Sequence, residues 1–192
     1  MGRVLVIAPI YNYYPILLHA LELQSHGDWQ LLLIHDGPNR TGLKALLKRI
    51  ADPRVRYCET PVRFDDWGHS LRAFMLDEIK REQVPGDYIV ITNADNYYVP
   101  TFLEYTLRAF SPGIVAVYCS MVHNHYDWTL IDTALVRKKI DCGCLVVTRE
   151  AALSVGWRSR LYHADWIYVE DLVCRFGASR FQKIENVLFV HN

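Results

Sequence analysis

Residues 87–98 read DYIVITNADNYY, an apolar run that leads directly into polar side chains. The apolar part predicts a buried strand at 88–92, and Asn93 and Asp95 follow where that strand ends. A carboxylate at the carboxyl end of a buried strand is costly unless it meets a ligand, and ligands bind at that edge of open α/β sheets. Hard oxygen donors suit Mg²⁺ or Mn²⁺, ions that proteins usually share with the phosphates of a nucleotide.

The rest of the chain repeats this alternation of short apolar strands with helical periodicity. Strands are predicted at 4–8, 29–34, 55–57, 88–92, 114–119, 143–148 and 184–190, and helices after Pro15 and Pro100 and at 43–50, 71–79, 150–155 and 170–176. This order predicts an α/β fold in which helices flank a mostly parallel central sheet, a Rossmann-like arrangement. A chain of 192 residues, 51% hydrophobic, has material for one domain over 1–192.

Composition narrows the possible partners. Twenty-one basic residues balance twenty-one acidic ones without forming a basic stripe, so there is no case for nucleic acid or an anionic membrane. No apolar run approaches the roughly 20 residues of a transmembrane segment, and the start does not resemble a signal peptide. Five cysteines without paired spacing are typical of reduced thiols. These features predict a cytoplasmic protein, with peripheral membrane association through a partner left open.

Polar residues follow several of the predicted strands. Strand 4–8 leads into Pro9, Tyr11 and Asn12, and strand 29–34 leads into Asp36. Because parallel strands end at one edge of a sheet, these side chains are expected to converge with those after strand 88–92. Asp36 taken alone has a competing interpretation, since Asp-Gly-Pro is a common turn. Residues 121–141 carry two His, one Trp and several charged side chains without a clear period, which predicts a binding loop or lid.

Five short motifs in order resemble the inverting, family 2-like glycosyltransferases with the GT-A fold. They are Pro9-x-Tyr11-Asn12, His35-Asp36-Gly37, Gly68 with Arg72, Asn93-Ala94-Asp95, and Glu170-Asp171-Leu172 with Arg175. The resemblance implies a single GT-A domain with a nucleotide-sugar-binding half at 1–100 and an acceptor-binding half at 101–192. It implies a nucleoside-diphosphate sugar as donor, with a uridine nucleotide as the default, and a carbohydrate or other hydroxyl acceptor.

The resemblance also implies roles for individual residues. The predicted nucleotide contacts are Pro9, Tyr11, Asn12, Asp36, Arg72, Asn93 and Ala94. Asp95 would bind the Mn²⁺ or Mg²⁺ ion that bridges the diphosphate, and His191 is a second candidate metal ligand. Asn93 stands where the family has a carboxylate, and its amide brings no charge to the ion. Metal binding weaker than is usual for the family is therefore expected.

Sugar transfer with inversion needs a base opposite the departing nucleotide. A divalent cation stabilises the negative charge on that nucleotide, and a carboxylate accepts the proton of the attacking hydroxyl. The family resemblance puts this base at Asp171, beside Glu170. The competing interpretation is that both acids stabilise the amino terminus of a helix. Trp166 and Asp165 are the predicted acceptor contacts, because sugar rings pack on aromatic side chains.

Other classes of function were weighed against this one. A dinucleotide-dependent oxidoreductase would need a glycine-rich turn after the first strand, which is absent here. The pair His123 and His125 has metal-ligand spacing, but a surface or acceptor-contacting role is favoured. The main alternative is a non-catalytic nucleotide-sugar-binding or assembly module with a decayed metal site, because of Asn93. The three acids Asp36, Asp95 and Asp171 favour an enzyme.

Overall fold

The computed structural model describes residues 2–192, which form one α/β unit around a nine-stranded sheet. The strands are β1 (Val4–Ile10), β2 (Trp29–His35), β3 (Val55–Glu59), β4 (Tyr88–Ile91), β5 (Tyr97–Tyr98), β6 (Ala116–His123), β7 (Thr129–Ile131), β8 (Leu145–Thr148) and β9 (Phe181–His191). The helices are α1 (Ile16–Glu22), α2 (Leu43–Ile50), α3 (His69–Arg81), α4 (Phe102–Arg108), α5 (Arg149–Val155) and α6 (Ala164–Phe176). Short 3₁₀ turns lie at Asn124–Tyr126, Cys142–Cys144 and Ala178–Arg180.

The strand order is β3-β2-β1-β4-β8-β6-β9-β5, and β7 pairs with β6 outside this path. Within the described chain, β1, β2, β3, β4, β6 and β9 run in one direction, whereas β5, β7 and β8 run against it. The sheet is therefore mostly parallel, as the sequence predicts. Since β1, β4 and β6 point the same way, their carboxyl ends lie at one edge of the sheet.

Helices cover both faces of this sheet. Every residue of β1 is buried, which requires packing on both of its sides. Helix α3 packs against β1, α5 against β4 and β8, and α4 against β6 and β9. None of the helices in residues 2–192 has the length and apolar character needed to span a bilayer.

Several predicted boundaries need correction. The last helix begins at Ala164 rather than at residue 170, because Ala164, Tyr168 and Leu172 already form one buried stripe. Residues 121–141 are not one irregular loop, since β6 continues to His123 and β7 pairs back onto it. The helix at 43–50 agrees with the sequence prediction, and β1 and β2 match it to within two residues.

Candidate active site

A cleft of about 470 Å³ opens at the carboxyl ends of β1, β2 and β4. Six residues that the sequence predicts for the nucleotide or the metal line it, namely Pro9, Tyr11, Asp36, Asn93, Ala94 and Asp95. The rest of the lining is Ile10, Tyr14, Arg63, Asp65, Trp67 and Gly68. The expected convergence of these strand ends is therefore observed.

Asp36 organises one wall of this cleft. Its carboxylate is buried and accepts hydrogen bonds from the backbone N–H groups of Phe64 (2.8 Å) and Asp65 (3.0 Å). The Arg63 guanidinium lies 3.9 Å from the Asp36 carboxylate and 5.2 Å from the centre of the Tyr11 ring. The carboxylate thus holds the segment between β3 and α3 against the end of β2, besides facing the cleft.

Gly68 allows a close approach between that segment and β1. A Cβ atom at this position would lie 2.5 Å from Cβ of Pro9, and the backbone φ is +79°. Only glycine meets both demands without strain. The amino terminus of α3 is therefore set directly against the end of β1, which positions Arg72 behind the cleft.

Arg72 is a buried cation at the back of the cleft. It is 2% exposed, and its Nη1 donates to the backbone carbonyl of Trp67 at 2.9 Å. Its Nη2 donates to Oδ1 of Asn93. The predicted nucleotide residue Arg72 thus contacts Asn93 and is not itself part of the cleft lining. The Asn93 oxygen is already engaged by this guanidinium.

Asp95 carries an unsatisfied carboxylate oxygen. Its Oδ1 is buried and has no hydrogen-bond partner. Burial raises the pKa of this carboxyl, although His191 and Arg72 favour its charged form. A buried, unpaired carboxylate oxygen is costly without a compensating ligand. The environment of Asp95 is therefore that expected of a cation ligand.

His191 and Asp141 form a polar pair close to Asp95. His191 Nε2 lies 3.4 Å from Oδ2 of Asp141, and His191 Nδ1 is buried without a partner. Burial alone would raise the pKa of Asp141 and lower that of His191. Burial is the largest single influence on each group, but their hydrogen bond, their opposite charges and the neighbouring groups together outweigh it. The pKa of Asp141 therefore lies below its usual range and that of His191 above it. Asp141 also accepts from Gly143 N at 2.7 Å.

The donor set fits a hard divalent ion in part. In the region that the structure describes, no group of three or more His, Cys, Asp or Glu side chains is arranged to hold a metal by itself. The unpartnered oxygen of Asp95 and nitrogen of His191 are nevertheless suitable ligand atoms. Mg²⁺ and similar ions are often held by one or two protein ligands together with substrate phosphates. The site fits that kind of ion rather than a caged structural metal.

Asp165 lies in the first turn of α6 and faces the same interior cluster. It accepts a hydrogen bond from the Cys142 thiol at 3.2 Å. Burial raises the pKa of its carboxyl, and the nearby Asp141 raises it further, whereas Arg72 opposes both. A carboxylate in the first turn of a helix is also stabilised by the helix dipole.

Asp171 and Glu170 lie further along α6. Six residues from Asp165 correspond to about 9 Å along the helix axis and about 240° around it. The Asp171 carboxylate forms a two-pronged ion pair with Arg158, with Nε to Oδ2 at 2.6 Å and Nη2 to Oδ1 at 2.8 Å. Glu170 is exposed. Neither residue opens the helix, contrary to the sequence prediction.

Four other residues that the sequence singled out lie apart from the cleft lining. Asn12 is exposed, and its side chain accepts from the N–H of Tyr13. Trp166 is half-buried and packs against the hydrophobic core. His123 lies at the end of β6 with its ring centre 4.2 Å from that of His191. His125 follows in a 3₁₀ turn instead of on the strand.

Sequence reasoning missed two groups of residues near this site. Asp141 is a largely buried acid at the start of the 3₁₀ turn that leads into β8, near the edge of the sheet where Asp95 follows β4. The segment from Arg63 to Trp67 carries no periodic signal, and its place in the cleft depends on the tertiary contacts of Asp36. A search for isolated acids beside predicted strands would have found Asp141 but not this segment.

Residues 5–187 match the family model described as "Glycosyl transferase family 2". The chain belongs to glycosyl transferase family 2. The match spans nearly the whole chain and includes both the cleft and α6. No curated protein sequence matches the chain.

Solved structures with the same fold include two of S. aureus TarS and one of glucosyl-3-phosphoglycerate synthase. S. aureus TarS superposes with a TM-score of 0.74 at 12% identity, over 99% of this chain and 36% of that chain. S. aureus TarS 1-349 in complex with UDP has a TM-score of 0.73 at 12% identity, over 98% of this chain and 60% of that chain. The third structure is glucosyl-3-phosphoglycerate synthase from Mycobacterium tuberculosis in complex with Mn²⁺, UDP and glucosyl-3-phosphoglycerate. It has a TM-score of 0.69 at 12% identity, over 100% of this chain and 72% of that chain.

These similarities establish the fold as GT-A and the family as one of glycosyltransferases. The present chain spans between about a third and three fifths of the TarS chains that it matches. At 12% identity, the superpositions show a shared fold and do not identify the substrates of this chain.

Proposed function

We propose that this chain transfers a sugar from a uridine-diphosphate sugar to a hydroxyl acceptor with inversion, using a divalent cation and a carboxylate base. One observation carries the proposal. The unpartnered oxygen of Asp95 lies at the edge of a nucleotide-sized cleft, with the buried carboxylate of Asp165 in the same interior cluster. Inverting transfer requires a cation on the nucleotide side and a base on the acceptor side. Asp165 does not line the cleft itself, so the acceptor would approach from the side of α6.

The donor nucleotide would lie along the ends of β1, β2 and β4. Tyr11 and the Arg63 guanidinium offer a flat surface to a base, and Asp36 offers a carboxylate to base or ribose groups. Uridine is favoured because TarS 1-349 and glucosyl-3-phosphoglycerate synthase are each described in complex with UDP. The cleft lining comes from residues 9–95, which agrees with a nucleotide-sugar-binding half at 1–100.

Asp95 and His191 would hold the metal ion together with the diphosphate. Mn²⁺ or Mg²⁺ would supply Lewis-acid stabilisation of the leaving nucleotide. Asp141 fixes the His191 ring through Nε2, which leaves the unpartnered Nδ1 as the ligand atom. Arg72 adds a fixed positive charge behind Asn93.

Asp165 is the base that the contacts favour. Its carboxylate lies near Asp141 and Arg72, which move its pKa in opposite directions. A base must reach the acceptor hydroxyl, and the first turn of α6 belongs to the same cluster as His191. Asp171, the residue implied by the family resemblance, has both oxygens engaged by Arg158.

Paired substitutions on α6 test the choice of base. Asp165→Asn should lower turnover by roughly 10²- to 10⁴-fold, the usual contribution of a positioned proton acceptor. UDP affinity should stay within about threefold, because the carboxylate acts on the acceptor and not on the nucleotide. Turnover is measured as UDP release from UDP-sugars, and affinity by calorimetry.

Asp171→Asn is the matched control on the same helix. If it abolished turnover while Asp165→Asn did not, the base would be Asp171 and the Arg158 pair would have to open during the reaction. The non-catalytic alternative rests on Asn93, whose amide replaces a charged ligand. It would be preferred if the wild type bound UDP but released none from any UDP-sugar, with or without Mn²⁺.

A further inference from the structure

An exposed aromatic pair stands at the mouth of the cleft. Trp67 is 64% exposed and Tyr162 is 78% exposed, yet their rings meet edge to face with centres 5.7 Å apart. Trp67 lines the nucleotide cleft, whereas Tyr162 lies in the loop that leads into Asp165. The pair therefore bridges the donor side and the α6 side of the pocket.

Trp67 is held in place by a strained turn. Asp65 and Trp67 have positive φ angles of 55° and 56°, in the left-handed region that is unfavourable for residues other than glycine. Such strain persists only where the surroundings fix it, and it is concentrated at functional sites. Arg72 fixes the Trp67 carbonyl, and Asp36 fixes the Asp65 N–H. The backbone that carries the Trp67 indole is thus held in place, although the ring itself is exposed.

A stack of rings supports the turn from below. The Trp67 ring lies 6.1 Å from that of His69, which is buried and stacks on Trp157 at 5.7 Å. Trp157 in turn stacks on Tyr168 of α6 at 5.3 Å. This stack joins the start of α3 to α6. The exposed pair is therefore the outer end of a rigid aromatic column.

We propose that Trp67 and Tyr162 form the platform on which the pyranose ring of a sugar acceptor stacks. A pyranose presents an apolar C–H face to aromatic rings and hydroxyl groups around its rim. Asp65 beside Trp67, and Asp165 three residues after Tyr162, are carboxylates that could accept bonds from such hydroxyls. The inference rests on the proposed function and narrows its acceptor class from any hydroxyl compound to a sugar.

The test uses methyl pyranosides of glucose, galactose, mannose and N-acetylglucosamine as probes. Their binding to the wild type is measured by ligand-observed NMR in saturating UDP and Mn²⁺. At least one should bind, and Trp67→Ala and Tyr162→Ala should each weaken that binding by roughly tenfold. Trp67→Phe should retain most of it, since a ring remains. UDP affinity should stay within about twofold in Tyr162→Ala, because Tyr162 does not line the nucleotide cleft.

Trp128→Ala is the matched control, because Trp128 is 62% exposed and also has a left-handed φ of 57°. Trp128→Ala should change neither the pyranoside affinity nor the UDP affinity. The proposal is overturned if the wild type binds UDP but no pyranoside, or if Tyr162→Ala weakens UDP binding as much as pyranoside binding. Equal effects of Trp67→Ala and Trp128→Ala would also overturn it. Failure of the wild type to bind UDP would instead refute the proposed function.

Discussion

At the scale of single residues, the site holds three carboxylates but only two positively charged or protonatable side chains beside them. Asp95, Asp141 and Asp165 share Arg72 and His191 as their positive neighbours. Burial raises the pKa of Asp95 and of Asp165, which means that their charged forms are incompletely compensated. A bound divalent ion would supply the missing charge. This imbalance supports the proposed role of the cluster in binding a cation.

Asn93 gives a sharp residue-scale prediction. Because Arg72 already donates to the Asn93 oxygen, a carboxylate introduced by Asn93→Asp should pair with Arg72 instead of a metal. Mn²⁺ affinity in the presence of UDP should therefore stay within about threefold of wild type. Asp95→Ala should abolish the Mn²⁺ dependence of UDP binding. Calorimetry measures both, and a marked tightening by Asn93→Asp would mean that residue 93 faces the ion.

Gly68 gives a second prediction, on stability. Gly68→Ala should lower the free energy of unfolding by at least about 2 kcal/mol, through the left-handed φ and the clash with Pro9. Gly113→Ala is the control, since its φ is +94° and nothing lies within 4 Å of the new Cβ. Urea unfolding should give a cost for Gly68→Ala that exceeds the control by more than about 1 kcal/mol. Equal costs would mean that the contact with Pro9 relaxes freely.

At the scale of elements, α6 explains the main displacement in the sequence prediction. The family motif placed the acids of interest at 170 and 171, and the helix was expected to begin there. The buried spacing of Ala164, Tyr168 and Leu172 extends the same helix six residues towards its amino terminus. That extension brings Asp165 to the buried first turn and carries Asp171 to the ion pair with Arg158. Periodicity alone could have found the earlier start.

The ion pair on α6 should contribute little to stability. Asp171→Asn should lower the free energy of unfolding by less than about 1 kcal/mol, because Arg158 is largely exposed and such pairs are screened by water. Arg158→Gln should have a similar effect, and the double variant should cost no more than either one plus a few tenths of a kcal/mol. Thermal or urea unfolding measures all three. A loss of several kcal/mol would mean that the pair anchors α6.

At the scale of the whole molecule, the sequence predicted the architecture better than the site. Strands β1, β2 and β4 and their polar ends follow from apolar runs and their spacing, so the cleft lining could be anticipated. Strands β5 and β7 have only two and three residues, too few for a period to be seen. The turn at 63–67 depends on contacts between distant segments, which no local pattern encodes.

In the proposed function, the cleft binds a uridine nucleotide through a metal held by Asp95. The most direct measurement is the melting temperature with UDP and Mn²⁺ for the wild type and for Asp95→Ala. UDP at a hundred times its dissociation constant should stabilise the wild type by about 2.7 kcal/mol, which raises the melting temperature by about 5 to 11 °C. In Asp95→Ala the contribution of Mn²⁺ should disappear. An unchanged wild-type melting temperature with UDP and Mn²⁺ would contradict the account.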